Sequence, residues 1–283
     1  MPAIDEKPHF AADDYHLFQE FLSRACGIVL GDNKQYLVAN RLRRILSDQD
    51  VGSLRALVQK IESRQVSGLK EQVIDAMTTN ETFWFRDNFP FETLRDALLP
   101  RLVKEEKRPA LRIWSAACSF GQEPYSISML IEEFKQRNPW VLRSDPVITA
   151  TDISSAALNT AKRAVYDRLS VNRGLSAERR DRFFREVEPG QFQLDRSITS
   201  RVSFRQMNLL ESYTALGQFD IILCRNVLIY FAADIKIDIL RRMHAQLKPG
   251  SYLILGASES MPAALNSLFT LERINGQTTV YRS

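Results

Sequence analysis

The residues of this chain best suited to chemistry fall in four short stretches. Ser115-Ala116-Ala117-Cys118-Ser119-Phe120-Gly121-Gln122-Glu123-Pro124 offers small side chains, a glycine for a tight turn and a proline placed for the first position of a helix. A ligand can approach such a backbone closely. The stretch is neither Gly-x-Gly-x-x-Gly nor a phosphate loop ending in Gly-Lys-Ser/Thr, so it suits a nucleoside without phosphates, or simply a structural turn. Asp152 closes the apolar run Val147–Thr151. A carboxylate there either accepts the two hydroxyl protons of a ribose or caps the helix that follows. Phe219–Cys224 runs into Arg225 and Asn226 and then into Val227-Leu228-Ile229-Tyr230-Phe231. Tyr230 in that setting either packs in a core or sets a hydroxyl at the mouth of a cleft. Thr78-Thr79-Asn80-Glu81-Thr82 leads into Phe83-Trp84-Phe85-Arg86, a pattern fitting a ligand wall, an aromatic plug between domains, or both.

These stretches need elements to hold them. Strands at Leu111–Ser115, Val147–Thr151, Val202–Gln206, Phe219–Leu223 and Tyr252–Leu255 alternate with helices at Pro124–Gln136, Ser154–Arg163 and Ala233–Leu247. That alternation predicts a mostly parallel sheet with helices on both faces, whose ligands bind beyond the carboxyl ends of the strands. Lys248-Pro249-Gly250 is expected to stop the last of these helices and turn directly into a strand. Tyr166–Ile198 interrupts the alternation, with a basic helix over Ala177–Arg185 and a hairpin around Gly190. Ahead of the sheet, four groups recur at helical spacing: Tyr15, Phe18, Phe21 and Leu22; Leu37, Val38, Leu42, Ile45 and Leu46; Leu54, Leu57, Val58 and Ile61; Leu69, Val73, Ile74 and Met77. Gly52-Ser53 and Ser67-Gly68 punctuate them. They predict a small all-helical domain, preceded by a loose tail over residues 1–10.

The 283 residues are 45% hydrophobic and 25% charged, the balance of a globular protein. No apolar run approaches the roughly 20 residues that span a bilayer, and no secretory signal is read at the start. Cys26, Cys118 and Cys224 make no Cys-x-x-Cys pair, so neither a disulfide framework nor a zinc site is expected, and a reducing cytoplasm fits. His9, His16 and His244 lie far apart, which argues against a histidine metal centre or a Ser-His-Asp triad. The net charge of +4 and pI of about 9.0 suit nucleic acid, an acidic partner or neither.

Taken in order, the motifs resemble the CheR-type chemotaxis receptor methyltransferases. They are the polar-aromatic stretch 79–86, the run Arg112–Ser126, Asp152 after its strand, Asn208-Leu209, Cys224-Arg225-Asn226 with Ile229-Tyr230-Phe231, and Gly256-x-Ser-Glu-Ser at 256–260. The likeness covers essentially the whole chain. Phe120 and Gln122 depart from it, where Thr and Glu are usual, as do Trp84 for a Phe and Cys118 for a smaller residue. The resemblance implies an α/β protein: a Rossmann-like S-adenosylmethionine-dependent methyltransferase sheet domain, a small N-terminal all-helical domain and an inserted small β-subdomain. Expected boundaries are 1–78 for the helical domain, 79–110 for a linker and helix, and 111–283 for the catalytic domain, with the insert at 166–200.

The resemblance further implies that S-adenosylmethionine is held by Asn80, Thr82, Arg86, Glu123, Asp152, Asn208, Leu209, Arg225 and Asn226, and released as S-adenosylhomocysteine. Asp152 suits the ribose and Asn208-Leu209 the adenine edge. Arg86 suits the methionine carboxylate and Glu123 the ammonium. The acceptor would be a glutamate side chain in the cytoplasmic methylation region of a chemoreceptor, oriented by Tyr230 and, with Arg86, forming the catalytic pair. Lys34, Arg41 and Arg44 are expected to share a helical arc free of acids that docks this acidic partner. Some members of the family add a receptor's tail peptide to the insert sheet. The loop Val187–Gln191 is shorter than theirs, so receptors without a tail are expected substrates. A monomer is expected. Asn226 is followed by Val-Leu-Ile, where amino-directed methyltransferases carry Asn-Pro-Pro-Tyr, which disfavours nucleic acid as acceptor. A dehydrogenase lacks its dinucleotide fingerprint, and a cofactor sensor without catalysis remains an alternative.

Overall fold

The structure, a computed structural model, describes residues 10–108, 110–139, 141–142, 144–274, 276 and 278–283. The expected tail, apart from Phe10, lies outside the described residues, as does His9. The chain forms two compact units. One runs to Thr79 and takes in Tyr230–Ile235; the other holds Asn80–Ile229 and Lys236–Ser283.

The first unit is built from α1 (Ala12–Cys26), α2 (Gln35–Asp48), α3 (Leu54–Glu62) and α4 (Leu69–Met77). Their apolar stripes supply its core, including Phe18, Leu22, Val38, Leu42, Leu57, Val58, Leu69 and Val73. Local chemistry sets the ends. Gly27 takes a left-handed conformation and its N–H closes on Ser23 O, while the Ser53 hydroxyl accepts the Ala56 N–H at 3.1 Å to start α3. Lys34 lies in a 3-10 turn, Asp32–Lys34, ahead of α2, so it does not share one helix with Arg41 and Arg44.

In the second unit the linker leads to α5 (Phe89–Thr93), prolonged by π-helical turns at Leu94–Leu98 and Arg101–Glu105. There follow β1 (Arg112–Ala116), α6 (Gln122–Arg137), β2 (Val147–Asp152) and α7 (Ser155–Arg163). The insert comprises β3 (Val165–Asp167), α8 (Arg168–Asn172), α9 (Ala177–Phe183), β4 (Phe184–Glu188), β5 (Gln191–Leu194) and α10 (Arg196–Thr199). The chain ends with β6 (Val202–Gln206), β7 (Phe219–Cys224), α11 (Ala233–Ala245), β8 (Leu247–Leu255), β9 (Thr270–Ile274) and β10 (Thr278–Arg282). The main sheet has seven strands in the order β6-β2-β1-β7-β8-β10-β9. Pairing is parallel from β6 to β8, and β10 joins β8 and β9 antiparallel.

Three expectations are corrected. The helix after β1 begins at Gln122, so Pro124 is its third residue, still in the first turn where backbone N–H groups lack helical partners. Lys248-Pro249-Gly250 is no simple turn: α11 ends at Ala245 and β8 already pairs at Leu247, so these residues form a bulge against β7. The bulge has a cause. Asp220, fully buried at the start of β7, accepts from Arg108 (2.7 Å), Lys248 Nζ (2.8 Å) and the Arg112 N–H (2.7 Å), and Arg108 also donates to Ser251 Oγ and the Gly250 carbonyl. Shaping the bulge around Arg108 gives the buried carboxylate its partners. The insert holds the expected helix, α9, and the expected hairpin, β4-β5, but β3 adds a third strand in the order β3-β5-β4, and the basic helix stops at Phe183 so that Arg185 lies in a strand.

Candidate active site

The carboxyl ends of β6, β2, β1, β7 and β8, five neighbours in the sheet, carry most of the polar residues singled out above. After β1 the backbone turns sharply, with Ala117, Ser119 and Gly121 all at positive φ. Gly121 is required there, since a Cβ would lie 3.0 Å from Ala161 Cβ and 3.1 Å from Tyr125 Cε2. Asp152, the last residue of β2, holds this turn: its Oδ2 accepts the Ser119 N–H at 2.7 Å and its Oδ1 the Ser154 N–H at 2.9 Å. Ser154 is itself the cap of α7, so the capping role considered for Asp152 is real but indirect. Ser119 Oγ in turn donates to the Asn80 carbonyl (2.8 Å), which ties the linker to the turn. Asn208 stands two residues past β6, and Met207 N–H donates to the Asp152 carbonyl at 2.9 Å. The Asn208 side chain accepts the Leu210 N–H; the buried Leu209 gives its carbonyl to Tyr213 OH and Arg242.

Beyond β7, Arg225 is buried and its guanidinium is shared among protein groups. Nη1 donates to Glu123 Oε2 (2.8 Å), and Nη2 donates to Asp87 Oδ2 (2.9 Å) and to the Arg86 carbonyl (2.7 Å). Glu123 Oε1 accepts from Ser115 Oγ at 2.7 Å. One cation thus joins β1, α6, β7 and the linker. Asn226 follows with φ of 58°, and its N–H donates to Glu259 Oε2 at 2.8 Å. Burial first, then the carboxylates of Asp152 and Glu123, pushes the Cys118 thiol well above its usual range. Cys224 is raised likewise by burial, Glu259 and Glu123, so both sulfurs stay protonated and unreactive.

The linker owes its course to the insert. Phe85, Asp87 and Asn88 have positive φ, a concentration of backbone strain of the kind that persists only where surroundings enforce it. Trp84 N–H donates to the Arg173 carbonyl (3.2 Å), and the Arg173 guanidinium pairs with Glu81 at 2.7 Å and lies 4.7 Å from the Phe83 ring centre. Gly174 leaves no room for a side chain, because a Cβ would stand 2.1 Å from the Trp84 carbonyl. The indole of Trp84 is fully buried, edge-on to Tyr166 and Phe184 at 5.0 and 5.3 Å. The Phe85 N–H reaches Ser126 Oγ on α6. Arg86 donates to the Glu81 carbonyl (2.9 Å) with its guanidinium 5.7 Å from the Phe83 ring centre, and Thr82 is half-buried beside it in sequence.

The remaining residues singled out above belong to the helical unit. Tyr230 ends the 3-10 turn Leu228–Tyr230 and is grouped with that unit, where its carbonyl accepts the Val29 N–H at 3.0 Å. Lys34 and Arg44 are exposed, Arg44 in a 3.4 Å pair with Asp48. Arg41 is instead engaged in closing α4, donating to the carbonyls of Met77 (2.7 Å) and Thr78 (3.0 Å) and to Thr79 Oγ1 (3.0 Å). Asp87, Arg173 and Gly174 were not singled out in the sequence, and Glu259 stood within the 256–260 motif without a role. Only Glu259 carried a signal, a glycine and a glutamate three residues apart directly after a parallel strand.

Residues 80–277 match the family described as "CheR methyltransferase, SAM binding domain", and residues 13–78 match "CheR methyltransferase, all-alpha domain". Chemotaxis protein methyltransferase 1 of Pseudomonas aeruginosa is 54% identical over 255 residues, 90% of this chain and 91% of that protein. Chemotaxis protein methyltransferase Cher2 of Pseudomonas putida is 53% identical over 248 residues, covering 88% and 90%. Chemotaxis protein methyltransferase 1 of Vibrio cholerae is 48% identical over 262 residues, covering 93% and 94%. The chain therefore belongs to the CheR methyltransferase family and carries both its all-α domain and its S-adenosylmethionine-binding domain.

Proposed function

We propose that this protein methylates glutamate carboxylates on the cytoplasmic methylation region of chemoreceptors. The observation that carries the reading is the charge gathered by the strand ends and the linker beside them. Asp87, Glu123, Asp152 and Glu259 outnumber Arg86 and Arg225, and of the described histidines His16 lies in α1 and His244 in α11. An excess of carboxylates fits S-adenosylmethionine, whose sulfonium and ammonium outweigh its single carboxylate. The cofactor supplies an electrophilic methyl group. A glutamate, with an ordinary pKa near ~4.3, is already an oxygen nucleophile at neutral pH and needs no base. Its oxygen forms the new C–O bond as the C–S bond breaks onto sulfur, and no proton moves. The names of the three relatives support a chemotaxis substrate.

The chain's residues then serve to bind, align and exclude water, which can lower a barrier by roughly 7–11 kcal/mol at most. Asp152, at the end of β2, takes the ribose hydroxyls, and the Asn208-Leu209 segment lies next to it for the adenine. Asn80 and Thr82 line the linker side, Arg86 takes the methionine carboxylate, and Asn226 closes the other side. Glu123 keeps a share of its charge for the ammonium, the rest being neutralised by Arg225. Arg225 contributes by position, with Nη1 and Nη2 held by Glu123, Asp87 and the Arg86 carbonyl, while its buried Nε has no hydrogen-bond partner. Tyr230 orients the acceptor through a neutral hydroxyl, which leaves the attacking oxygen nucleophilic. Lys34 and Arg44, with Arg41 beside them in sequence, receive the acidic receptor surface.

Incubation with methyl-labelled cofactor and receptor-rich membranes should place label in the receptor as a base-labile ester. Base-stable label, or label in nucleic acid, would refute the reading.

A further inference from the structure

Glu259 has so far counted only towards the negative charge of the site, yet its carboxylate is among the most heavily engaged groups in the protein. Oε2 accepts the N–H of Asn226 (2.8 Å) and of Gly256 (2.8 Å), and Oε1 accepts the N–H of Val227 (2.9 Å) and of Leu228 (2.7 Å). Three successive amides after β7 and one after β8 thus converge on one anion, a concave arrangement of N–H dipoles that specifically favours negative charge. Gly256 is what lets the anion in. A Cβ there would stand 2.6 Å from Glu259 Oε2 and 2.8 Å from the Asn226 nitrogen. Asn226 itself has a φ of 58°, a conformation that costs a non-glycine residue energy and that converging amides without an anion would not keep.

We infer that Glu259 is a positioning residue for methyl transfer. Its charge fixes the left-handed turn at Asn226 and with it the start of the turn Leu228–Tyr230, so the acceptor side of the site is set by an internal anion rather than by the backbone's own preference. The inference rests on the acceptor reading above, and its test separates the two.

Glu259→Gln keeps the shape but turns an N–H₂ toward amide donors. Below its melting temperature, with folding checked by circular dichroism, this variant should lose about tenfold or more in single-turnover methyl transfer at saturating cofactor, with a smaller loss of affinity for S-adenosylhomocysteine by calorimetry because Asn226 also borders the cofactor. Amide ¹⁵N–¹H shifts of Asn226, Val227 and Leu228 should move in the variant without any acceptor present. Glu259→Ala opens the same nest to a small anion, so propionate should restore turnover and propionamide should not. Transfer within about twofold of wild type by folded Glu259→Gln, with the three amide shifts unmoved, would overturn the inference. So would equal rescue by propionate and propionamide. If wild type itself fails to esterify receptor glutamates, the proposed function falls, while the amide shifts still decide whether Glu259 sets the turn.

Discussion

Arg86 and Tyr230 separate binding from chemistry at the level of single side chains. If Arg86 meets the methionine carboxylate, Arg86→Ala removes a charge-assisted hydrogen bond of about 1.5–3 kcal/mol, and affinity for S-adenosylhomocysteine should drop roughly ten- to a hundredfold by calorimetry. Tyr230→Phe keeps the ring and loses only the hydroxyl. Cofactor affinity should stay within about twofold, while single-turnover transfer falls by roughly ten- to a hundredfold. An unchanged rate would mean that Tyr230 only packs. The sequence singled these residues out by type and by their place near apolar runs; Asp152, Asn226 and Asn208 stand at or just past the ends of strands of one sheet, and Glu123 lies in the first turn of the helix after β1. What it could not disclose is who shares whom. Arg225 reads as a ligand-binding cation, but its partners Glu123 and Asp87 lie far from it in sequence, and only the folded sheet brings the three together. Arg41 hid its job for the same reason, since the carbonyls that it closes belong to another helix.

The insert and the linker form one mechanical element. Gly174, at φ of 88°, touches the Trp84 carbonyl so closely that any side chain must displace backbone. Gly174→Ala should therefore lose more than about 2 kcal/mol in urea unfolding and bind S-adenosylhomocysteine more weakly, because Asn80–Arg86 shifts with Trp84. Gly52→Ala, where nothing lies within 4 Å, is the control and should change stability by less than about 1 kcal/mol. A full-strength cofactor site in Gly174→Ala would show that the linker does not depend on the insert. At this scale the parallel strands and the four helices were legible, since buried strands are continuous apolar runs and the helices carry clean stripes. The strands that escaped are short or two-sided. Val165–Asp167 has three residues, and Thr270–Ile274 mixes Glu272 and Arg273 with apolar neighbours because it is an edge. The Lys248–Gly250 bulge reads locally as a turn; its shape is dictated by Arg108 and Asp220, which no local pattern contains.

Across the whole molecule the basic excess belongs to the second unit, since residues 1–79 and 230–235 hold ten lysines and arginines against twelve aspartates and glutamates, and docking on the first unit would rest on the local run Lys34–Arg44. Because Arg41 holds α4, reversing it would unsettle the helix as well as the surface, so the informative variant is Lys34→Glu with Arg44→Glu. Loss of the exposed Arg44–Asp48 pair costs little, about 0.5 kcal/mol or less. Receptor methylation by this variant should slow roughly three- to tenfold at low ionic strength, and the gap should narrow as salt rises, with cofactor affinity unchanged. Equal rates at low salt would leave these cations as plain solvated charge. The sheet order also has a consequence for how the chain is made. The central strand β1 is flanked by β2, made soon after it, and by β7, with Ile113 paired to Ile221. Between them the insert pairs only with itself, Val165 to Gln193 and Phe184 to Leu194. On a ribosome the insert can close while β1 still shows one unpaired edge to the cytosol or to a chaperone. The later strands β8 to β10 complete the sheet on that side. Synthesis that stalls between the insert's last strand and β7 would therefore yield a finished small sheet beside an open, adhesive one, and aggregation of nascent chains should be worst when arrest falls between Leu194 and Phe219.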